Sequence, residues 1–351
     1  MRWLVLLALG ACGRINFDPL DPLGAAGRYQ LRLTFDNAGR EALSGFPVLV
    51  TFDASRIDYA NVQADARDLR FVDPDGTELP YEIEAWDPTG TSVIWVRVPQ
   101  IDASSTTDHI FAVFGDAEAT DAEDPASVWA TYAGVWHLAQ APGSPTTLHD
   151  SSANHNDGRF EPSMTASSLI AGRIGPGLSF DGVDDFIEIV DSDSLDLTTL
   201  TIEAWTRLRT VDVRNFVVSK DGIDQDTTGA YNAGLVTNGF FVYQTNNLSP
   251  STVSSCCATT GVWYGFAFTV DAAAMSHAYL DGALQMEGPD VLPLVLSTNL
   301  LLGRRGVTDA FFSGDLDEIR LAAGSRSTDW IAAQHASMTD ALITYGPQEP
   351  R

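Results

Sequence analysis

Short runs in which apolar and polar residues alternate one by one recur along most of this chain. Each run stops at Gly, Pro, Asp or Asn, and Tyr81-Glu82-Ile83-Glu84-Ala85 and Thr201-Ile202-Glu203-Ala204-Trp205 are plain cases. Successive side chains of a strand point to opposite faces, so this period of two buries one face of a sheet, whereas an amphipathic helix needs a period of 3.6. Runs spaced at roughly ten residues with turn signals between them are the pattern of a β-sandwich or jelly roll. The sequence therefore predicts an all-β protein. Strands are expected over residues 29–35, 46–52, 69–72, 81–86, 93–98 and 110–114 in a first part. A second part follows, with runs at 178–180, 186–189, 200–208, 216–219, 233–236, 240–244, 263–270, 276–280, 300–302 and 316–322. One helix is expected, over residues 329–336, with Ser327 as its cap. Asp73-Pro74-Asp75-Gly76 and Asp281-Gly282 are turns with a mechanism, because Pro presets φ and Gly takes the positive φ that a tight turn demands.

Composition agrees with this and narrows the function. Of 47 acidic residues 35 are Asp, and Lys220 is the one lysine among 20 basic residues. Asp favours turns and caps over helix interiors, which argues against a bundle or coiled coil. A net charge of −27 excludes a nucleic-acid partner, since phosphates need a basic face. Residues 116–126 hold five carboxylates without apolar periodicity, and residues 116–131 are read as an exposed acidic linker between two modules, 28–115 and 132–347.

The chain opens with Arg2, an apolar run from Trp3 to Leu9, and Gly10-Ala11-Cys12. The run is too short to span a bilayer as a helix. Leu9-Gly10-Ala11-Cys12 resembles the lipobox of a bacterial lipoprotein. The resemblance implies a signal peptide over 1–11, lipidation of Cys12, and a membrane partner through that anchor. Residues 12–27 read as a flexible tether. The expected place is the bacterial envelope, at the outer membrane or cell surface. The alternative is an ordinary cleaved signal with a chance cysteine. Cys256 and Cys257 are adjacent, and adjacent cysteines rarely pair.

The first module resembles the bacterial and archaeal domain of unknown function 2341. The residues that carry the resemblance are Phe46-Pro47-Val48-Leu49-Val50, Asp68-Leu69-Arg70-Phe71 with Asp75-Gly76-Thr77, Tyr81 to Trp86, and Ile94 to Pro99. The second resembles the laminin-G-like branch of the concanavalin A-like lectin/glucanase superfamily. It does so through Asp150 to Gly158, Leu178 to Phe186, Thr201 to Trp205, Tyr279 to Gly282, Gly314 to Arg320 and Arg326 to Ile331. The resemblance implies two β-sandwich modules, the second a concanavalin A-like jelly roll. It also implies a structural Ca2+ whose ligands would be Asp150, Asn154, Asp181 and Asp317; otherwise these residues cap turns.

Retaining glycosidases need two carboxyl groups about 5–5.5 Å apart, and the Glu-x-Asp-x-Glu strand motif of the superfamily's glucanases does not occur in this chain. Glu82 and Glu84 share a strand face, which is read as solvated. His137, His149, His155 and His277 lack ligand spacing and read as packing or surface residues. Tyr243, with Asn246 and Asn247 just beyond it, is the candidate for ligand contact, as an aromatic beside polar groups. The expectation is a non-catalytic, lipid-anchored protein whose partner is a glycan or another extracellular ligand. An envelope or adhesion role through protein contacts is the alternative, with a polysaccharide-cleaving enzyme third.

Overall fold

The computed structural model describes residues 28–143, 147–211, 215–221, 229–236, 240–245, 252–306 and 310–351, with the side chains of 229, 236, 240–245 and 252–257 left out. Among the described residues every sheet is antiparallel, as the period-two runs require.

The first module is a sandwich. Its three-stranded sheet runs Leu43–Phe52, Ser92–Ile101, Tyr81–Ala85. The facing sheet has five strands in the order Ile343–Pro350, Tyr29–Phe35, His109–Phe114, Arg70–Val72, Glu78–Leu79. Phe46, Val48, Val50, Phe52, Ile94, Val96 and Val98 alternate into the core between them. Gly76, at φ 93°, closes the Asp73–Gly76 turn with its N–H on the Asp73 carbonyl at 2.9 Å. That turn leads into Glu78–Leu79, and only after Pro80 does the chain cross to the other sheet.

The second module is a larger sandwich of two sheets, each with eight strands among the described residues. The long strand Ser313–Ala323 is central to one of them. It pairs with Pro176–Asp181 and Tyr132–Trp136 on one side and Leu200–Leu208 on the other. Asp281 and Gly282 both have positive φ (48° and 77°) and join Met275–Leu280 to Ala283–Pro289, the expected hairpin.

Two boundaries differ from the sequence reading. Ile343–Pro350 was expected to end the jelly roll up to residue 347. Instead it returns to the first module and pairs with Tyr29–Phe35, with Ile343, Tyr345 and Tyr29 packed on that core. The acidic linker is exposed over most of residues 117–124, as expected, but it is tied to the first module and buried at its end. Glu123 accepts from the Ile83 N–H at 2.6 Å, the Asp124 N–H donates to the Tyr81 carbonyl at 2.9 Å, and Trp129 is fully buried. A local run of carboxylates says nothing about an unpaired strand edge elsewhere, and the edge of Tyr81–Ala85 is what captures this segment.

Two helices lie between the sandwiches. The short α1 (Pro125–Val128) precedes Trp129, and α2 (Thr328–Met338) begins at Ser327, whose side chain accepts the Trp330 N–H as a cap. α2 is a wedge. Trp330 packs edge-on to Phe46 at 4.7 Å, while the Leu49 N–H donates to Ser337 Oγ at 2.8 Å. Ala267 and Tyr279, on the jelly roll's outer face, join the same core. A further apolar cluster consists of Leu49, Val93 and Trp95 from the first module with Trp129, Val135, Ile174, Trp205 and Met338. The sheet Leu43–Phe52, Ser92–Ile101, Tyr81–Ala85 is thus covered on both faces.

Candidate functional site

Alternation along Tyr81–Ala85 points Tyr81 and Ile83 into the first module's core, so Glu82 and Glu84 must face the other way. That other side is the joint with the jelly roll. The solvated-face reading of these two residues is corrected by the structure: their side chains are 11% and 1% exposed.

Across the joint sits His137, directly after Tyr132–Trp136. Its Nδ1 lies 2.6 Å from Glu318 Oε1 and 3.5 Å from Glu84 Oε2, and its Nε2 lies 3.2 Å from Glu82 Oε2. It is buried and packed against the rings of Trp95 and Trp129, as a packing histidine would be, but it also faces three carboxylates. Trp129 Nε1–H donates to Glu82 Oε2 at 2.5 Å and Ser151 Oγ–H to Glu82 Oε1 at 2.6 Å. Trp95 Nε1–H donates to Glu84 Oε2 at 2.9 Å, while Glu84 Oε1 has no donor among the described residues. Gly175, at φ 54°, leaves room for that oxygen, since a Cβ there would stand 2.7 Å from it.

Glu318 reaches the cluster through a bulge. On Ser313–Ala323, Asp317 pairs with Trp205 and Arg320 with Glu203, so Ala204 alone opposes both Glu318 and Ile319. Glu318 takes the left-handed φ of 52°, which costs a non-glycine residue roughly 1 kcal/mol. The bulge lets the neighbours Asp317 and Glu318 both enter the buried region, which regular alternation would forbid. Asp317 Oδ2 accepts the Arg173 and Ile174 N–H groups at 2.6 and 2.8 Å. Arg320, buried beside Glu318 at 3.4 Å, lies over the rings of Trp95 and Trp129 at 4.6 and 5.6 Å.

These contacts set the charge states. Burial by itself would depress the His137 imidazolium, but Glu318, Glu82 and Glu84 around it hold its pKa well above the usual value. Burial, then the facing Glu318 carboxylate, push Glu84 well up, and the same two causes raise Asp317. Against its own burial, Glu318 is held low by His137 and then Arg320, and Glu82 is held low mainly by His137.

The four residues inferred for calcium do not form a ligand set. Asp150 receives four donors, Val135 N–H and Ser152 N–H on Oδ1 and Ser152 Oγ–H and Asn156 N–H on Oδ2. Its lone pairs are spent on its own turn. Asn154 donates to the Tyr132 and Ala133 carbonyls. Asp181 pairs with Ser313, four residues from Asp317 along the same strand, or about 13 Å. Asp181 Oδ1 instead accepts the Val183, Asp184 and Asp185 N–H groups, so the turn-capping reading describes it. Tyr243 lies on Phe240–Thr245, in register with Ala233 and Thr252, but its side chain lies outside the described residues, as do Asn246, Asn247 and Cys12.

Along one sheet edge the jelly roll exposes apolar side chains. Leu284, Met286, Val291, Leu292, Leu294 and Val295 are each 39–58% exposed along the edge strand Ala283–Pro289 and the segment after it. That segment is tied down by Lys220, whose Nζ donates to the Leu296 and Thr298 carbonyls. Among the described residues no helix is long and apolar enough to cross a membrane.

Residues 65–139 match the family model for a domain of unknown function (DUF2341), and residues 181–332 match that of the concanavalin A-like lectin/glucanases superfamily. The chain carries the two in that order. Among solved structures it is similar to domain 4 of AbnA, a GH43 extracellular arabinanase from Geobacillus stearothermophilus, in complex with arabinotriose. The identity is 17% and the TM-score 0.46, over 58% of this chain and 98% of that one. It is similar to the binding domain of Paraclostridial Mosquitocidal Protein 1, at 12% identity and TM-score 0.48 over 59% of this chain and 52% of that one. Trypanosoma rangeli sialidase is a third, at 12% identity and TM-score 0.45 over 72% of this chain and 41% of that one. No curated protein matches the sequence.

Proposed function

We propose that this chain, a domain of unknown function 2341 followed by a concanavalin A-like domain, is a non-catalytic extracellular binding protein anchored by lipid at Cys12. Its jelly roll meets a glycan or another extracellular ligand, held at a set orientation by the first module. One observation carries the reading. A close group of acid–base side chains, Glu82, Glu84, His137 and Glu318, is sealed in the joint, with side chains no more than 11% exposed. A hydrolytic pair must reach its substrate's bond, and these groups face protein instead. That supports binding over cleavage.

The test uses the full chain on a glycan array, with and without chelator, beside an assay of reducing-sugar release from polysaccharides. Glycan retention without sugar release is the expected result. Release of reducing sugar would overturn the reading. Replacing Cys12 by Ala should abolish acyl labelling and membrane retention; a variant that stays on the membrane would sink the anchor.

The exposed strip from Leu284 to Val295 favours a second reading, adhesion through protein contacts, because contiguous apolar surface marks interaction sites. Under that reading the array stays blank and Val295→Asp weakens retention of a protein partner by cells.

A further inference from the structure

Five carboxyl groups, Glu82, Glu84, Glu203, Asp317 and Glu318, are buried around the joint, against two buried side chains able to carry positive charge, Arg320 and His137, with the half-buried Arg326 acting on Glu203. Burying unpaired carboxylates costs several kcal/mol each, so the cluster is short of positive charge or of donors. Glu84 Oε1 and Asp317 Oδ1 lack a donor among the described residues.

The arrangement of the surplus is specific. One atom each of Glu84, His137 and Glu318 lies within 4.8 Å of the other two. His137 turns Nδ1 to that group and Nε2 to Glu82, a separate carboxylate, at 3.2 Å. This is the layout of a metal-ligating histidine, whose second ring nitrogen is oriented by an outer carboxylate. The outer partner is itself fixed, by Trp129 and Ser151, and Trp95 fixes Glu84. The bulge at Glu318 keeps its carboxylate aimed at His137 despite an unfavourable φ.

We propose that the joint is a metal site in which His137 Nδ1, Glu84 and Glu318 bind one divalent ion of the zinc class. An imidazole with two carboxylates suits zinc or manganese better than calcium, which takes oxygen ligands. Glu84 comes from the first module and His137 and Glu318 from the jelly roll, so the ion staples the two together. Because the ligands are buried, the ion is taken up as the modules close on each other.

Metal content of the purified full chain is measured first, and about one equivalent of zinc or manganese per chain is expected. The protein is then unfolded in guanidinium with EDTA and refolded with or without Zn2+. Refolding with Zn2+ should recover one equivalent and raise Tm by about 5 °C or more. Co2+ in place of Zn2+ should give the visible spectrum of a mixed nitrogen and oxygen site. Glu84→Gln, which keeps the Trp95 hydrogen bond, should weaken binding about 100-fold, and Glu82→Gln at least 10-fold through the orientation of His137. Asp184→Asn, in the exposed turn with Asp181 and Asp185, should change nothing. A chain that is metal-free as purified, takes up none on refolding and melts identically with and without Zn2+ overturns the proposal. So does a Glu84→Gln variant that binds as the parent does, or binding that is lost in Asp184→Asn alone.

Discussion

Lys220 and Arg320 are both fully buried cations, and their surroundings differ in one respect. Lys220 spends its three N–H bonds on Asp191 Oδ1 at 2.5 Å and on the Leu296 and Thr298 carbonyls at 2.8 and 3.1 Å, with Asp196 at 3.2 Å. Every N–H of Lys220 finds an acceptor, with Asp196 Oδ1 the one facing oxygen left over, and the result is a tied-down loop. Around Arg320 the donors themselves go unused: its Nε and Nη1 have no acceptor among the described residues, while carboxylate oxygens of Glu84 and Asp317 have no donor. A buried cation whose donors are all used holds structure together. An unbalanced cluster, kept in place by a bulge and three tryptophan or serine donors, is where a further ligand fits.

The contrast can be broken at either cation. Arg320→Met removes the cation that Glu318 and Glu203 share, leaving them His137 and Arg326, and should cost about 3–5 kcal/mol in urea unfolding of the full chain. Trp129→Phe keeps an aromatic ring but removes both the charge-assisted hydrogen bond to Glu82 and part of a fully buried indole, for a loss of about 2–3 kcal/mol by the same unfolding assay. Lys220→Met should cost less, about 2 kcal/mol, because Asp191 and Asp196, 28% and 18% exposed, recover water. Its sharper signature is local: limited proteolysis should now cut within residues 290–299. If both cation variants lose equal stability, the difference drawn between the clusters is wrong.

His335 sharpens the comparison from the α2 side. Burial first of all, opposed by Asp281 and aided by Arg173, holds its pKa below the usual histidine value. The unfolded chain therefore binds a proton near pH 6.5 that the folded chain refuses. Stability present above about pH 6.5 should fall as pH drops through the folded pKa, and His335→Asn should flatten that slope in urea midpoints between pH 5 and 7.5. Smallest of all, Val295→Ser at the exposed strip should leave stability within about 0.5 kcal/mol, because it touches neither cluster.

The candidate joint was half legible. Tyr81-Glu82-Ile83-Glu84 announces a strand with both acids on one face, and the structure keeps that. What covers the face was not announced there. A signal did exist next door: in Val93-Ile94-Trp95-Val96 both parities are apolar, the mark of a strand buried on two sides. It implies that the neighbouring Glu82 and Glu84 face protein too. Trp129, at the end of an acidic stretch, was a second hint, since an exposed connection has little use for tryptophan. The bulge at Glu318 left no trace, because nothing in Asp317-Glu318-Ile319 demands a left-handed residue.

Strands, hairpin turns, the cap at Ser327 and the order of the two modules follow from the sequence alone, because periodicity and turn chemistry act over a few residues. The return of Ile343–Pro350 to the first module, the tying of the acidic linker to the edge of Tyr81–Ala85, and the meeting of Glu84, His137 and Glu318 belong to the tertiary structure. Which residue covers a polar face depends on contacts made across the whole chain, and hydrogen bonds and charges at 3 Å are set by those contacts, not by spacing along the sequence.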